Sequence, residues 1–210
     1  MEQDVAILMA DLSGYTALTE THGAASAADV IDKFLEIVQR CLVGDSHLHG
    51  RVGDEVLIVS SSPDQLMETA IMLMQTASNE ENFLQLHGGL HYGKLLKRNN
   101  DYFGSAINLT SRIASSAHSG TFWCSQEFID ALCNKAHLCF EPKGKKTFKN
   151  VSRQMEVFEL VINNPKSFYI DPVCRMLIYD CKKATCHPHE QNTFFCGPEC
   201  LQIYLSSQSK

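Results

Sequence analysis

Five of the nine cysteines fall between Cys174 and Cys200, while Cys41, Cys124, Cys133 and Cys139 are scattered over the first 163 residues. That clustering divides the 210-residue chain into one medium domain and a short appendage, before any secondary structure is assigned. In a reducing compartment, thiols at this density read as metal or redox chemistry ahead of disulfides. The four dispersed thiols read as structural. Charge divides along the same line: residues 1–163 carry 13 Lys/Arg against 20 Asp/Glu, and residues 164–210 carry 5 against 4. The net charge of −6 gives no reason to expect a nucleic-acid partner. Hydrophobic residues make up 44% of the chain, enough to pack a core. No apolar run approaches the roughly 18 residues of a membrane span, and Met1 to Ala10 has no basic flank. The expectation is a cytoplasmic protein with no export signal and no membrane partner.

The first 163 residues alternate strand-like and helix-like segments. Val5 to Ala10 is a continuous apolar run suited to a buried strand, closed by the turn-forming Asp11-Leu12-Ser13-Gly14. Ala24 to Val43 follows as a helix, with Val30, Phe34, Ile37, Val38 and Cys41 recurring at spacings of three and four. His47 to Val52 and Glu55 to Ser60 read as the strands of a hairpin turning at Gly53-Asp54. A second helix opens at Pro63 and runs to Gln75, a strand spans Phe83 to His91, and a third helix runs from Ala106 to Ser116. Thr121 to Cys124 is a short strand and Gln126 to Cys133 a short helix. Leu138 to Phe140 and Met155 to Val161 close the region as strands around the basic segment Lys143 to Lys149. The order β-α-β-β-α-β predicts an α+β fold with a ferredoxin-like split βαβ sheet. The polar, Pro-containing stretch Asn163-Asn164-Pro165-Lys166-Ser167 sets the boundary, giving domains 1–163 and 164–210.

Two carboxylates stand where exposed chemistry can occur. Asp11 follows a buried strand and Asp54 caps a hairpin; if those elements are neighbours, the pair can meet at the sheet edge and hold hard cations. Asn108 and Arg112 are four apart on the third helix and share one face. On pattern alone these are equally two turn aspartates and an ordinary solvated helix face. Gly88 to Leu95 nearly fits a P-loop, but Leu95 stands where a Mg²⁺-ligating Ser/Thr must be and no helix follows, so that reading is rejected.

Four segments resemble, in order, the signatures of the class III adenylate/guanylate cyclase catalytic domain: Ala6-Ile7-Leu8-Met9-Ala10-Asp11-Leu12-Ser13-Gly14-Tyr15-Thr16, Arg51-Val52-Gly53-Asp54-Glu55-Val56, Gly89-Leu90-His91-Tyr92-Gly93, and Asp101 through Arg112. The resemblance implies that Asp11 and Asp54, with the Leu12 carbonyl, bind two Mg²⁺ or Mn²⁺ ions. These would serve attack of the ribose 3′-hydroxyl on the α-phosphorus of ATP, or less readily GTP, releasing pyrophosphate. It further implies that Asn108 orients the ribose, that Arg112 stabilises the α-phosphate, and that Lys94 and Lys149 hold the β- and γ-phosphates. Because the aspartates and the Asn/Arg pair come from different protomers in this family, a homodimer is implied.

Base recognition departs from the family pattern. Asp101, seven residues before Asn108, matches the aspartate that accepts from the adenine amine, but the purine-reading lysine falls on Gly50. His49 or Arg51 can compensate only if the strand register shifts, since adjacent strand residues face opposite ways. Gly50 also keeps open a catalytically silent cyclase-fold protein that binds nucleotide or only dimerises.

In the tail, Phe168-Tyr169-Ile170-Asp171-Pro172-Val173-Cys174-Arg175-Met176 with Thr193 to Cys200 resembles a YHS domain, a small metal-associated module, except that Arg175 replaces the usual glycine. The resemblance and the softness of thiolates point to Cys174, Cys196 and Cys200 as ligands of Zn²⁺ or Cu⁺. Cys181, Cys186, His187 and His189 are further candidates with no recognised spacing. The alternative is a small reduced core in which these cysteines only pack.

Overall fold

Strand β1 (Glu2–Ser13) sits at the centre of the fold because both of its faces are covered. It lies between β3 (Glu55–Ser60) and β4 (Gln85–Arg98) and is antiparallel to both. Ala6, Leu8, Ala10 and Leu12 join one core with helices α1 (Tyr15–Cys41) and α2 (Pro63–Ala77). Val5 and Ile7 join a second core, on the opposite face, under α3 (Ser105–Ser116). Cover on both faces is why the sequence shows an unbroken apolar run there and not alternation. The computed structural model describes residues 2–149, 151, 153–162 and 167–208.

The remaining strands are β2 (His47–Val52), β5 (Asp101–Phe103), β6 (Phe122–Ser125), β7 (Phe140–Lys146) and β8 (Met155–Leu160), with a short α4 (Gln126–Ala131). The sheet order is β2-β3-β1-β4-β6-β8-β7, and β5 pairs with β4. Its β2-β3-β1-β4 portion, with α1 and α2 on one face, is the split βαβ arrangement that the sequence predicts. Gly53 turns the β2–β3 hairpin at φ 63°, in the left-handed region. Gly89 answers a different need. A Cβ there would stand 2.5 Å from the Ala114 nitrogen and 2.8 Å from the Thr110 oxygen, so its absence lets α3 lie directly on β4.

Several boundaries differ from expectation. Helix α1 begins at Tyr15, well before the apolar repeat starts, and its path is broken at Gly23 (φ 81°, ψ 171°), so Tyr15 to His22 form a separate first segment. Strand β4 continues through Lys94 to Arg98 as a ribbon with β5, turning at Asn99 and Asn100 with φ of 51° and 61°. Its outer end is flanked by Lys94, Lys97 and Arg98, and of the two leucines between them Leu95 is buried in the second core while Leu96 is exposed, an apolar signal too short to mark a strand. The basic segment is largely strand: Lys143 in β7 bonds Glu141 at 3.1 Å and Glu159 at 3.0 Å. Gly88 to Leu95 lies within β4, which agrees with rejecting a P-loop. Of the dispersed thiols, Cys41 and Cys124 are buried as core residues, whereas Cys133 and Cys139 are exposed, contrary to a structural role for all four.

The tail contains short strands β9 (Tyr169–Ile170), β10 (Leu177–Ile178), β11 (Thr185–Cys186) and β12 (Phe194–Phe195), then helix α5 (Pro198–Gln208). The proposed boundary at Asn163, Asn164, Pro165 and Lys166 lies outside the described residues. The tail is nonetheless docked: the Leu177 N–H donates to the Phe83 carbonyl at 2.8 Å, and Met176 packs against the main core. Among the described residues, no helix is long and apolar enough to cross a membrane.

Candidate active site

Pairing of β1 with β3 carries Asp11, at the end of β1, to the tip of the β2–β3 hairpin where Asp54 sits. The two carboxylates are close enough to share a hydrogen bond. Burial first, and then the Asp54 charge, push the Asp11 carboxyl up to about 7. Burial and Asp54 raise Glu55 as well. The Leu12 N–H donates to Asp11 Oδ1 at 3.0 Å. In an extended strand the N–H and C=O of one residue leave on the same edge, so the Leu12 carbonyl shares the side of the acids.

Asp11, Leu12 and Asp54 line a cavity of about 470 Å³ together with Ser13, Gly14 and His87. Tyr15 and Thr16, also in its wall, open α1; its N-cap Gly14 has no side chain to occupy the first-turn N–H groups. An uncapped helix start beside paired carboxylates suits a polyanion carried with cations. Two carboxylates and a backbone carbonyl form the all-oxygen donor set that hard divalent ions take, so the residues present fit Mg²⁺ or Mn²⁺.

Local patterning did not reveal His87. It pairs with Asp11 across β1 and β4, placing Nε2 3.7 Å from Asp11 Oδ2 and Nδ1 3.0 Å from Ser13 Oγ. Burial lowers its pKa and Asp54 opposes the shift, so the imidazole is neutral near pH 7.

Asn108 is exposed and Arg112 half-buried on α3, and neither side chain has a hydrogen bond or ion pair among the described residues. Neither lines the cavity of the acids within the same chain. Lys94 is also apart. It lies seven residues along β4 from His87, roughly 23 Å at strand rise, and its Nζ bonds Asp4 Oδ2 at 3.1 Å. Lys94 lines a second cavity of about 380 Å³ with His91, Glu127 and Arg153. Arg153 pairs with Glu127 at 2.7 Å. Lys149 is exposed in the turn after β7 and does not line that cavity.

Where the resemblance places the purine-reading lysine, the strand carries the register shift on which compensation by His49 depends. Leu48 pairs with Ile58 but Gly50 with Leu57, so β2 carries one extra residue, a bulge at His49. That shift turns His49 to Asp101, with Nε2 2.9 Å from Oδ1. The Tyr102 N–H also donates to Oδ1, at 2.8 Å, which leaves Oδ2 as the open acceptor. The His49 hydrogen bond, with the Tyr102 amide second, holds the Asp101 carboxyl below the ordinary carboxylate range. A Cβ on Gly50 would meet nothing within 4 Å, so the missing lysine is not excluded by crowding.

In the tail, Cys174, Cys196 and Cys200 come together, while Cys181, Cys186, His187 and His189 stay outside that group. The hydrogen bond from Cys196 draws the Cys174 thiol down to about 6, while its partners and burial push Cys196 and Cys200 upward. Arg175 adopts φ 68°, the left-handed conformation for which the usual glycine is suited.

A family model described as the adenylate and guanylate cyclase catalytic domain matches residues 1–162. An uncharacterized protein of Mycobacterium tuberculosis (strain H37Rv) is 33% identical over 159 residues, covering 75% of this chain and 41% of that protein. A protein named adenylate cyclase from Glutamicibacter nicotianae is 32% identical over 132 residues, covering 62% of this chain and 33% of its own length. The chain thus spans between a third and two fifths of these relatives. Among solved structures, an adenylate cyclase of Trypanosoma brucei in its monomeric state superposes with a TM-score of 0.70 at 17% identity, covering 84% of this chain and 93% of that one. The adenylyl cyclase CyaB of P. aeruginosa gives 0.63 at 19% identity, covering 79% and 97%. With the family match spanning nearly all of the larger domain, the chain belongs to the adenylate and guanylate cyclase catalytic-domain family.

Proposed function

We propose that this chain is a nucleotide cyclase that converts ATP, and less readily GTP, to the 3′,5′-cyclic nucleotide and pyrophosphate at a site shared by two copies. The observation that carries the proposal is the meeting of Asp11 and Asp54 at a cavity opened by the start of α1. Asp11, Asp54 and the Leu12 carbonyl would hold two Mg²⁺ or Mn²⁺ ions, which supply positive charge for the triphosphate and acidify the ribose 3′-hydroxyl. The first-turn amides of α1 face the phosphates. Asn108 orients the ribose and Arg112 offsets charge growing on the α-phosphate, with Lys94 and Lys149 as further phosphate-binding groups.

Separation supports the homodimer. Asn108 and Arg112 do not line the cavity of the acids in their own chain, and a second copy would bring them to it. Val52 at the hairpin tip is 81% exposed and Phe103 at the β4–β5 ribbon is 52% exposed, leaving apolar side chains for a partner to cover. For the base, Asp101 Oδ2 accepts from the adenine amine and His49 fixes the carboxylate, which favours ATP.

Formation of cyclic AMP and pyrophosphate from ATP, with Mg²⁺ or Mn²⁺ and beside Asp54→Asn, tests the proposal. Product well above that variant is expected, with less from GTP. No product above it from either nucleotide would leave the silent, nucleotide-binding reading in its place.

A further inference from the structure

The C-terminal module buries few apolar side chains. Cys174, Phe195 and Cys200 form its buried cluster, and Leu177 and Ile178 are buried besides. A segment of this size with so small a core needs a staple. The three cysteines are free thiols. Cys196 Sγ lies 3.5 Å from Cys174 Sγ and 3.5 Å from Cys200 Sγ.

A fourth donor comes from the other domain. His22, the last residue of the first segment of α1 before the break at Gly23, places Nε2 3.5 Å from Cys196 Sγ and 3.6 Å from Cys200 Sγ. All four donor atoms lie within 4.8 Å of one another. A tetrahedral zinc ion with ordinary bond lengths would set sulfurs about 3.8 Å apart and sulfur from nitrogen about 3.5 Å apart. The four separations made by Cys196 with its neighbours and by His22 with Cys200, 3.5–3.6 Å, match edges of such a tetrahedron to within about 0.3 Å.

The surroundings fix the ligands in place. The Asp171 carboxylate, fully buried, accepts the N–H groups of Val173 at 2.8 Å and Cys174 at 3.2 Å on one loop and of Cys196 at 2.7 Å on the other. It therefore ties both cysteine-bearing loops into one frame, the task of an outer shell around a metal. Cys200 sits in the first turn of α5, where the helix N-terminus favours a thiolate. Next to Cys174, the side chain of Arg175 lies over Gly14, so close that a Cβ on Gly14 would stand 2.5 Å from Arg175 Cβ. Gly14 is the N-cap of α1 and part of the wall of the acidic cavity.

We propose that His22, Cys174, Cys196 and Cys200 form a closed, structural zinc site in which the cyclase domain supplies the fourth ligand, so that the ion fastens the tail onto the first segment of α1. Three soft thiolates and one imidazole, with no open position, are the donor set of structural zinc; hard ions such as Mg²⁺ do not compete for it. Binding releases the remaining thiol protons to solvent and leaves the imidazole neutral, bound through Nε2. Cys174 holds Arg175 against Gly14, so occupancy of the site also steadies the helix start beside Asp11 and Asp54.

The test uses the full chain, purified under reducing conditions, stripped of metal and reloaded with zinc or with Co²⁺ as a spectroscopic substitute. One zinc per chain is expected, and Co²⁺ should give the intense d–d bands of a tetrahedral site with thiolate charge transfer. His22→Ala should weaken zinc binding at least about tenfold in a chelator competition. His22→Cys should keep one ion per chain and shift the Co²⁺ bands toward those of a four-sulfur site, a change that a misfolded variant cannot mimic. Failure to bind zinc stoichiometrically, or Co²⁺ spectra identical in the wild type and His22→Cys, would each overturn the proposal. None of these readouts depends on cyclase activity.

Discussion

At the scale of single residues, the deciding features are contacts between groups far apart in sequence. Residue 50 by itself suggests a lost base contact. The bulge beside it brings His49 to Asp101, 52 residues away, and so places a polar pair where the base would be read. His49→Ala should lower the ATP/GTP discrimination about tenfold or more, measured as the ratio of kcat/KM values, because a polar contact in a closed site is worth about 1–3 kcal/mol; an unchanged ratio would remove His49 from base recognition. A second consequence concerns pH. Asp11 has a folded pKa of about 7 against an ordinary 3.8, so the metal-free fold gains stability from the bound proton at low pH and loses it as pH rises through 7. Divalent ions compete with that proton. The rise in Tm produced by Mn²⁺ should therefore be larger at pH 8 than at pH 6, and Asp54→Asn should flatten the difference; equal shifts at both pH values would contradict the pairing of the two acids. The meeting of Asp11 with Asp54 was expected through the cyclase resemblance and the gathering of Cys174, Cys196 and Cys200 through their clustering, whereas Asn108 and Arg112 were named by the resemblance alone and their role is a proposal. The roles of His22, His49 and His87 were not legible in the sequence, since each acquires its meaning only through a pairing register or a docked tail that no local spacing records.

At the scale of elements, the sequence was most readable where burial imposes a period. The apolar stripe of α1, the covered strand β1 and the Gly53-Asp54 hairpin all followed from patterning. The first segment of α1 and the outer half of β4 escaped it because each sends only an isolated side chain, Leu18 and Leu95, fully into a core and carries no continuous apolar stripe. Seating of α3 on β4 depends on Gly89, whose missing Cβ admits the helix backbone. Gly89→Ala should cost more than about 1 kcal/mol in urea unfolding, by overpacking, although alanine is intrinsically the better strand residue. Gly50→Ala, with open space around it, serves as the control and should stay within about 0.5 kcal/mol. Equal effects at the two positions would show that α3 does not rest on that strand as closely as described.

At the scale of the whole molecule, the proposed function divides the chemistry between two copies. The acids and the opening of α1 would form one half of a site, and Asn108 and Arg112, which do not line that cavity in their own chain, would form the other half in a partner copy. The exposed Val52 and Phe103 lie on the hairpins that project from the sheet. Val52→Asp combined with Phe103→Asp should shift the chain toward monomer in sedimentation velocity and lower cyclase activity in parallel, and a dimer unaffected by both charges would place the interface elsewhere. The most direct measurement of the central claim is complementation. Asp54→Asn and Arg112→Ala should each be inactive alone as homodimers. Mixed at equal amounts and allowed to exchange, random pairing makes half the dimers heterodimeric, each with one intact site, so activity should return to about a quarter of the wild-type level. If each variant is inactive alone and the exchanged mixture remains inactive, the site is not shared between two copies and the account fails.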